Sequence, residues 1–184
     1  AIVGMGGSGL GPHLLQSVFR DRLAVPLEVM NSYDLPDWVG ETTLVVLSSY
    51  SGTTEEVLEA FRHAKKRGAK IVGTATGGDL ERLCRGADVP FLKIVPVSNP
   101  AGAPRLALGY SIVGVLGILS RAGLLEISER EVKDAIDDCA SAVKRLGPTT
   151  SWVQNPAKQL GRDLKGRVAL IIAAGHLEGS AHIF

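Results

Sequence analysis

Cysteine is scarce in this chain. Cys84 and Cys139 are the two among 184 residues, and they lie far apart in no metal-ligand spacing. That argues against a zinc site or a disulfide framework and makes a reduced, cytoplasmic setting the default expectation. Net charge is also close to nothing, formally +1, so no overall field favours nucleic acid or an anionic membrane as a partner. No basic segment followed by an apolar stretch marks a signal peptide. The most apolar run, Leu106 to Leu119, is bounded by Arg105 and Arg121 and falls short of the roughly 20 residues that a membrane span needs. Core helix and dimer seam both fit it, core being the commoner case. Low-complexity segments are missing, as is an initiator Met. The chain opens on Ala1-Ile2-Val3-Gly4, which reads as a strand already under way, and Glu178 to Phe184 reads as a helix cut in its second turn. A piece of something longer is the expectation.

What is present is a core. Hydrophobic residues make up 45% and charged residues 21% of the chain, the profile of a globular protein. Ile2 to Met5 is a short apolar strand running into the turn Gly6-Gly7-Ser8-Gly9 and then a helix carrying Leu14, Leu15 and Val18. Further strands are expected at Leu27 to Met30, Thr43 to Leu47, Lys70 to Thr76 and Phe91 to Val95. The run Thr43-Leu44-Val45-Val46-Leu47 is continuously apolar, as in a parallel sheet with helices on both faces. Thr53 and Glu56 fit a capping box for the helix carrying Val57, Ala60, Phe61 and Ala64. Lys65 to Arg67 occupy its last turn and Gly68 ends it. Helices are expected at Arg105 to Arg121, Glu129 to Leu146 and Asn155 to Leu164. Arg167 to Ala174 reads as a new strand before Gly175. Alternating strands and helices predict an α/β fold with a doubly wound parallel sheet of five strands.

Two loops carry the chemistry. Gly4-Met5-Gly6-Gly7-Ser8-Gly9 satisfies G-x-G-x-x-G between strand and helix, the context of a dinucleotide fingerprint, with Glu28 and Asp34 at the distance of a ribose-binding acid. The same backbone suits a smaller anion at a helix N-terminus, with Ser8 adding a hydroxyl; a ligand-free tight turn is the third reading. In the second loop, Ser48-Ser49-Tyr50-Ser51-Gly52-Thr53-Thr54, five of seven residues carry aliphatic hydroxyls. One could be a helix cap and another a turn residue, but the cluster points to phosphate. Neutral hydroxyls, amide hydrogens and a helix dipole can hold a dianion and still release it.

The pair of loops, strand–Gly-Gly-Ser-Gly–helix and strand–Ser-Tyr-Ser-Gly-x-Thr-x-Glu–helix, resembles the flavodoxin-like sugar isomerase (SIS) domain. Pro104-Arg105-Leu106-Ala107-Leu108-Gly109-Tyr110 looks like the signature of bifunctional phosphoglucose/phosphomannose isomerases. Asn155-Pro156-Ala157-Lys158-Gln159-Leu160 is similar to the helix leading into that family's second SIS domain. The resemblance implies a first SIS domain over residues 1–122, a helical linker over 123–153 and the truncated start of a second SIS domain over 154–184. It implies interconversion of glucose 6-phosphate or mannose 6-phosphate with fructose 6-phosphate, without metal or other cofactor. Gly6, Gly7 and Ser8 would lie near the phosphate; Ser49, Ser51 and Thr54 would take its oxygens. Arg105 would be catalytic, stabilising the enediolate. Thr53 stands where the family more often has Asn. The catalytic glutamate, and beyond it the ring-opening histidine, would lie past Phe184; His176, Glu178 and His182 precede that motif and, like His13 and His63, read as surface. The hexose 6-phosphate is thus the implied ligand and a homodimer the implied assembly, with no nucleic acid or membrane partner. A non-enzymatic SIS module sensing sugar phosphate and a dinucleotide-binding oxidoreductase domain are the alternatives.

Overall fold

The computed structural model describes all residues, Ala1–Phe184. They divide into two compact units, Ala1–Leu125 with Ala173–Phe184, and Glu126–Ile172.

The first unit is built on strands β1 (Ile2–Gly4), β2 (Val29–Met30), β3 (Leu44–Ser48), β4 (Lys70–Ala75) and β5 (Phe91–Lys93). All pair in parallel, in the order β2-β1-β3-β4-β5. The chain leaves β1 for one sheet edge and then, from β3, works towards the other. Right-handed crossovers therefore place α1 (Gly7–Val18) on one face and α2 (Glu55–Lys66) and α3 (Gly78–Gly86) on the opposite face. Alternate residues of the central strands are sealed on both sides: Ile2, Val3, Val45, Val46 and Leu47 are all buried. Val3, Val45 and Leu47 join Val57, Ala60, Phe61 and Ala64 of α2 in one core cluster, which is why neither face of these strands could be polar.

The five strands expected between Ile2 and Val95 are present, those at the sheet edges shortened. Helix α3 went unread between β4 and β5; it is short, with glycine at both ends. The apolar run becomes a 3-10 turn, Pro104–Ala107, followed by α4 (Leu108–Arg121). Val115, Leu116, Ile118 and Leu119 of α4 are buried, whereas Leu106 and Val113 face outward. Helix α4 packs so closely on α1 that a Cβ on Gly11 would meet Ser111 Oγ at 2.7 Å.

The second unit holds α5 (Glu129–Leu146) and α6 (Pro156–Asp163). Ser128 and Glu131 form a reciprocal capping box at the start of α5. Fully buried Asn155 accepts from Lys158 N to cap α6 and donates to the carbonyls of Leu146 and Gly147. The expected strand Arg167 to Ala174 is not formed. Val168 and Leu170 are 99% and 84% exposed: an apolar run becomes a strand only when a neighbouring strand takes its hydrogen bonds. Beyond it, α7 (Glu178–Ile183) lies on α1 in the first unit, where Gly179 N donates to Ser17 Oγ at 3.0 Å. No helix is long and apolar enough to cross a membrane.

Candidate functional site

The sheet order reverses between β1 and β3, which lie side by side with Gly4 opposite Ser48. The crevice outside the strand carboxyl ends is the ligand position in such sheets. Both sequence-predicted loops emerge there. Gly6 turns the chain into α1 at φ 50° and ψ −126°, a conformation that a side chain would oppose. Pro12, inside α1, has no amide hydrogen to give the carbonyl four residues earlier. That carbonyl belongs to Ser8, and it accepts instead from Ser48 Oγ of β3 at 3.1 Å and Ser111 Oγ of α4 at 3.4 Å. Tyr50 N closes the seam by donating to Ser8 Oγ at 2.9 Å. The first loop is thereby bolted to the second.

Within the second loop the hydroxyls bond one another. Ser49 Oγ accepts from Gly52 N at 3.0 Å and pairs with Thr54 Oγ1 at 2.8 Å. Ser51 Oγ pairs with Thr53 Oγ1 at 3.0 Å and accepts from Thr53 N. The expected capping box at Thr53 and Glu56 is not made: the N-cap is Thr54, and its side chain makes no cap bond. Its hydroxyl is spent on Ser49, so the first amide hydrogens of α2 have no side-chain acceptor. Ser51 and Thr53 are exposed, whereas Ser8 and Ser49 are buried. Glu55 and Glu56 occupy the first turn of α2, so an anion here would be held by aimed N–H and O–H donors rather than by a positive field.

The third segment joins them. A Cβ on Gly7 would stand 2.8 Å from both Arg105 N and Pro104 C, so the backbone before Arg105 lies directly on the first loop. The exposed Arg105 guanidinium donates to the Ile183 carbonyl at 2.7 Å. Asn99 Nδ2 donates to Tyr50 OH at 2.7 Å and to the Ala103 carbonyl at 3.1 Å. Gly6, Gly7, Ser8, Ser49, Ser51 and Thr54 are thus brought together at one place, whereas Arg105 joins them through its backbone alone, its guanidinium being turned to Ile183. Sequence reading passed over Tyr50, Asn99, Ser111 and Pro12, whose contributions arise from long-range pairing. Only the Pro inside a helical pattern was a visible signal.

The acids that a dinucleotide would need are elsewhere. Glu28 precedes β2, with its carbonyl accepting from Ile2 N, so it lies at the wrong strand end; Asp34 is exposed, 3.9 Å from His63. A cleft of about 800 Å³ lined by His13, Arg20, Asp21, Glu28, Glu178 and His182, among others, shares no residue with the hydroxyl loops. Its three carboxylates make it hostile to a dianion. His13 there is half-buried rather than on the surface, its ring 4.7 Å from that of His182. Burial, then the neighbouring His182, pushes its pKa below the ordinary value, against hydrogen bonds that the ring makes to Gln16 and Asn31. His176 lies 3.4 Å from Asp21.

Comparison with known proteins identifies the family and the fold. No family model matches the chain. It is 36% identical over 173 residues to the bifunctional phosphoglucose/phosphomannose isomerase of Caldicellulosiruptor bescii, covering 92% of this chain and 49% of that protein. It is 35% identical over 129 residues to the enzyme of the same name from Thermoplasma acidophilum, covering 70% and 38%. The chain thus spans half or less of the length of these relatives. Among solved structures, tagatose-6-phosphate ketose/aldose isomerase of Escherichia coli superposes with a TM-score of 0.67 at 14% identity, over 99% of this chain and 50% of that one. A Salmonella typhimurium LT2 protein provisionally assigned as a phosphosugar isomerase gives 0.63 at 25% identity, over 99% and 55%. The chain belongs to the SIS-domain family of bifunctional phosphoglucose/phosphomannose isomerases.

Proposed function

We propose that the complete protein interconverts glucose 6-phosphate, mannose 6-phosphate or both with fructose 6-phosphate through an enediolate. One observation carries the reading: two hydroxyl-bearing loops at the switch point are locked together through Ser8, with the Arg105 backbone lying on the first of them. The phosphate would take donors from Ser51, Thr54, the first turn of α2 and the Gly6-Gly7-Ser8 turn, the arrangement that favours anions at a helix N-terminus. Arg105 is then the cation of the site. Shifting a proton between C1 and C2 leaves negative charge on the enediolate oxygens, and a fixed guanidinium stabilises that charge as it develops. The carboxylate that moves the proton is assigned to the part of the relatives' length that this chain does not span. Residues 154–184 are assigned to the opening of a second SIS domain, in which residues 168–174 would find their strand neighbour.

The test is fructose 6-phosphate turnover by the complete protein, with Arg105→Ala beside it. Loss of Arg105 is expected to lower kcat by about 10²–10³, as for removal of an oxyanion donor, with little change in sugar-phosphate affinity. Unchanged turnover would take Arg105 out of the site. Binding without turnover in the wild type would identify a sensing module instead. Binding of NAD that is indifferent to Ser51→Ala and Thr54→Ala would point to an oxidoreductase.

A further inference from the structure

Between β5 and the Pro104–Ala107 turn, residues 94–103 form neither helix nor strand, yet the middle of this strap is pinned. Ser98 N donates to Tyr110 OH at 3.0 Å, and Gly102 N donates to the Asn99 carbonyl at 3.1 Å. The Asn99 side chain makes two further ties, to Tyr50 OH and to the Ala103 carbonyl. Its amide orientation is fixed chemically, because the Ala103 carbonyl can only accept. Both amide hydrogens are therefore used. The Asn99 Oδ1 is enclosed without any partner, a costly state for a buried acceptor. An apolar side chain would fill the space without that cost, so what the asparagine uniquely supplies is its pair of donors.

The residue on the other end of the tie is a junction. Tyr50 N donates to Ser8 Oγ, its carbonyl accepts from Thr76 N at 2.9 Å and Thr76 Oγ1 at 2.8 Å, and its hydroxyl accepts from Asn99. Tyr50 is thus held by the first loop and by the end of β4 before it meets the strap. Ala103 lies two residues before Arg105. We propose that Asn99 is a positioning residue that couples the hydroxyl loop to Arg105. Through Tyr50 and Ala103 it sets the strap height, and with it where the Arg105 backbone stands beside the phosphate donors. This rests on the sugar-phosphate reading above.

The test uses the complete protein with Asn99→Ala, Asn99→Asp, Tyr50→Phe and the Asn99→Ala/Tyr50→Phe pair, each shown folded by its thermal transition. Fructose 6-phosphate turnover and equilibrium binding are measured. Misplacement of a catalytic group by about an ångström lowers rate by up to about 10²-fold. A kcat fall of about tenfold to a hundredfold is therefore expected for both Asn99 variants, with the dissociation constant moving less than about threefold. Asp matches Asn in shape but cannot donate to the Ala103 carbonyl, which its carboxylate would repel even if Tyr50 OH turned to donate to it, so its kcat should also fall; a space-filling role would leave it active. The paired variant should be no worse than the poorer single one, since one tie is removed twice. Wild-type kcat in the folded Asn99 variants, or equal losses of kcat and affinity, would overturn the proposal by itself. If the wild-type protein neither binds nor turns over fructose 6-phosphate, the sugar-phosphate reading fails first and takes the proposal with it.

Discussion

Ser8 has two jobs that a single substitution can separate. Its carbonyl, released by Pro12, receives Ser48 and Ser111, while its buried hydroxyl receives Tyr50 N. Ser8→Ala keeps the first and removes the second, leaving an amide hydrogen of a half-buried residue unpaired. A loss of about 1–2 kcal/mol in unfolding free energy is expected, together with weaker binding of fructose 6-phosphate, measured by urea titration and calorimetry. Gly7→Ala acts differently. Its methyl would collide with backbone, not with a side chain that can swing away, so the Pro104–Arg105 backbone must shift. A stability cost of about 1–3 kcal/mol is expected from such overpacking, and turnover should fall further than binding because Arg105 itself is displaced.

At the level of elements, α2 shows a loop network overriding a local rule. Thr53 and Glu56 have the spacing of a capping box, and α5 makes such a box with Ser128 and Glu131. In α2 the hydroxyls turn to each other instead, keeping the amide end of the helix accessible. Helix α3 offers a simpler check on packing. Its Cys84 is completely buried, and burial pushes the thiol up to about 11, whereas Cys139 of α5 is exposed. A thiol-disulfide reagent near neutral pH should modify Cys139 in the native protein and reach Cys84 only on unfolding. Equal reaction rates would mean that α3 does not sit on β4 and β5 as described.

For the first unit as a whole, acid should loosen α7. His13 has a native pKa below the ordinary value, so as pH falls through about 6.5 the unfolded chain takes up the proton first. Stability is full above that point, declines as pH drops towards the native value, and then levels off. The ring of His182 facing His13 adds repulsion on protonation. His13→Gln should flatten this part of the curve, measured by thermal unfolding between pH 7 and 5. An unchanged slope would locate the titration elsewhere.

Much of this molecule was legible in the residues because its signals are local. Continuous apolar runs, helix stops and hydroxyl-rich turns follow from side-chain chemistry over a few positions, and they yielded the parallel sheet and the two loops; the Arg105 segment was marked only by its resemblance to the family signature. Three features were not legible, each for want of a partner distant in sequence. The run 168–174 has strand composition but no neighbour to pair with. The hydroxyls around Thr53 and Thr54 could cap a helix or one another, and the loop geometry decided. The Tyr50–Asn99 tie links positions 49 residues apart, which no spacing rule anticipates. The sequence by itself determined the alternation of strands and helices and the chemical character of the loops, because both depend on neighbours along the chain. The tertiary structure alone decided that β1 and β3 are adjacent, that Ser8 bridges their loops and that the Pro104–Arg105 backbone rests on Gly7, because these are contacts between surfaces that meet only once the sheet has closed.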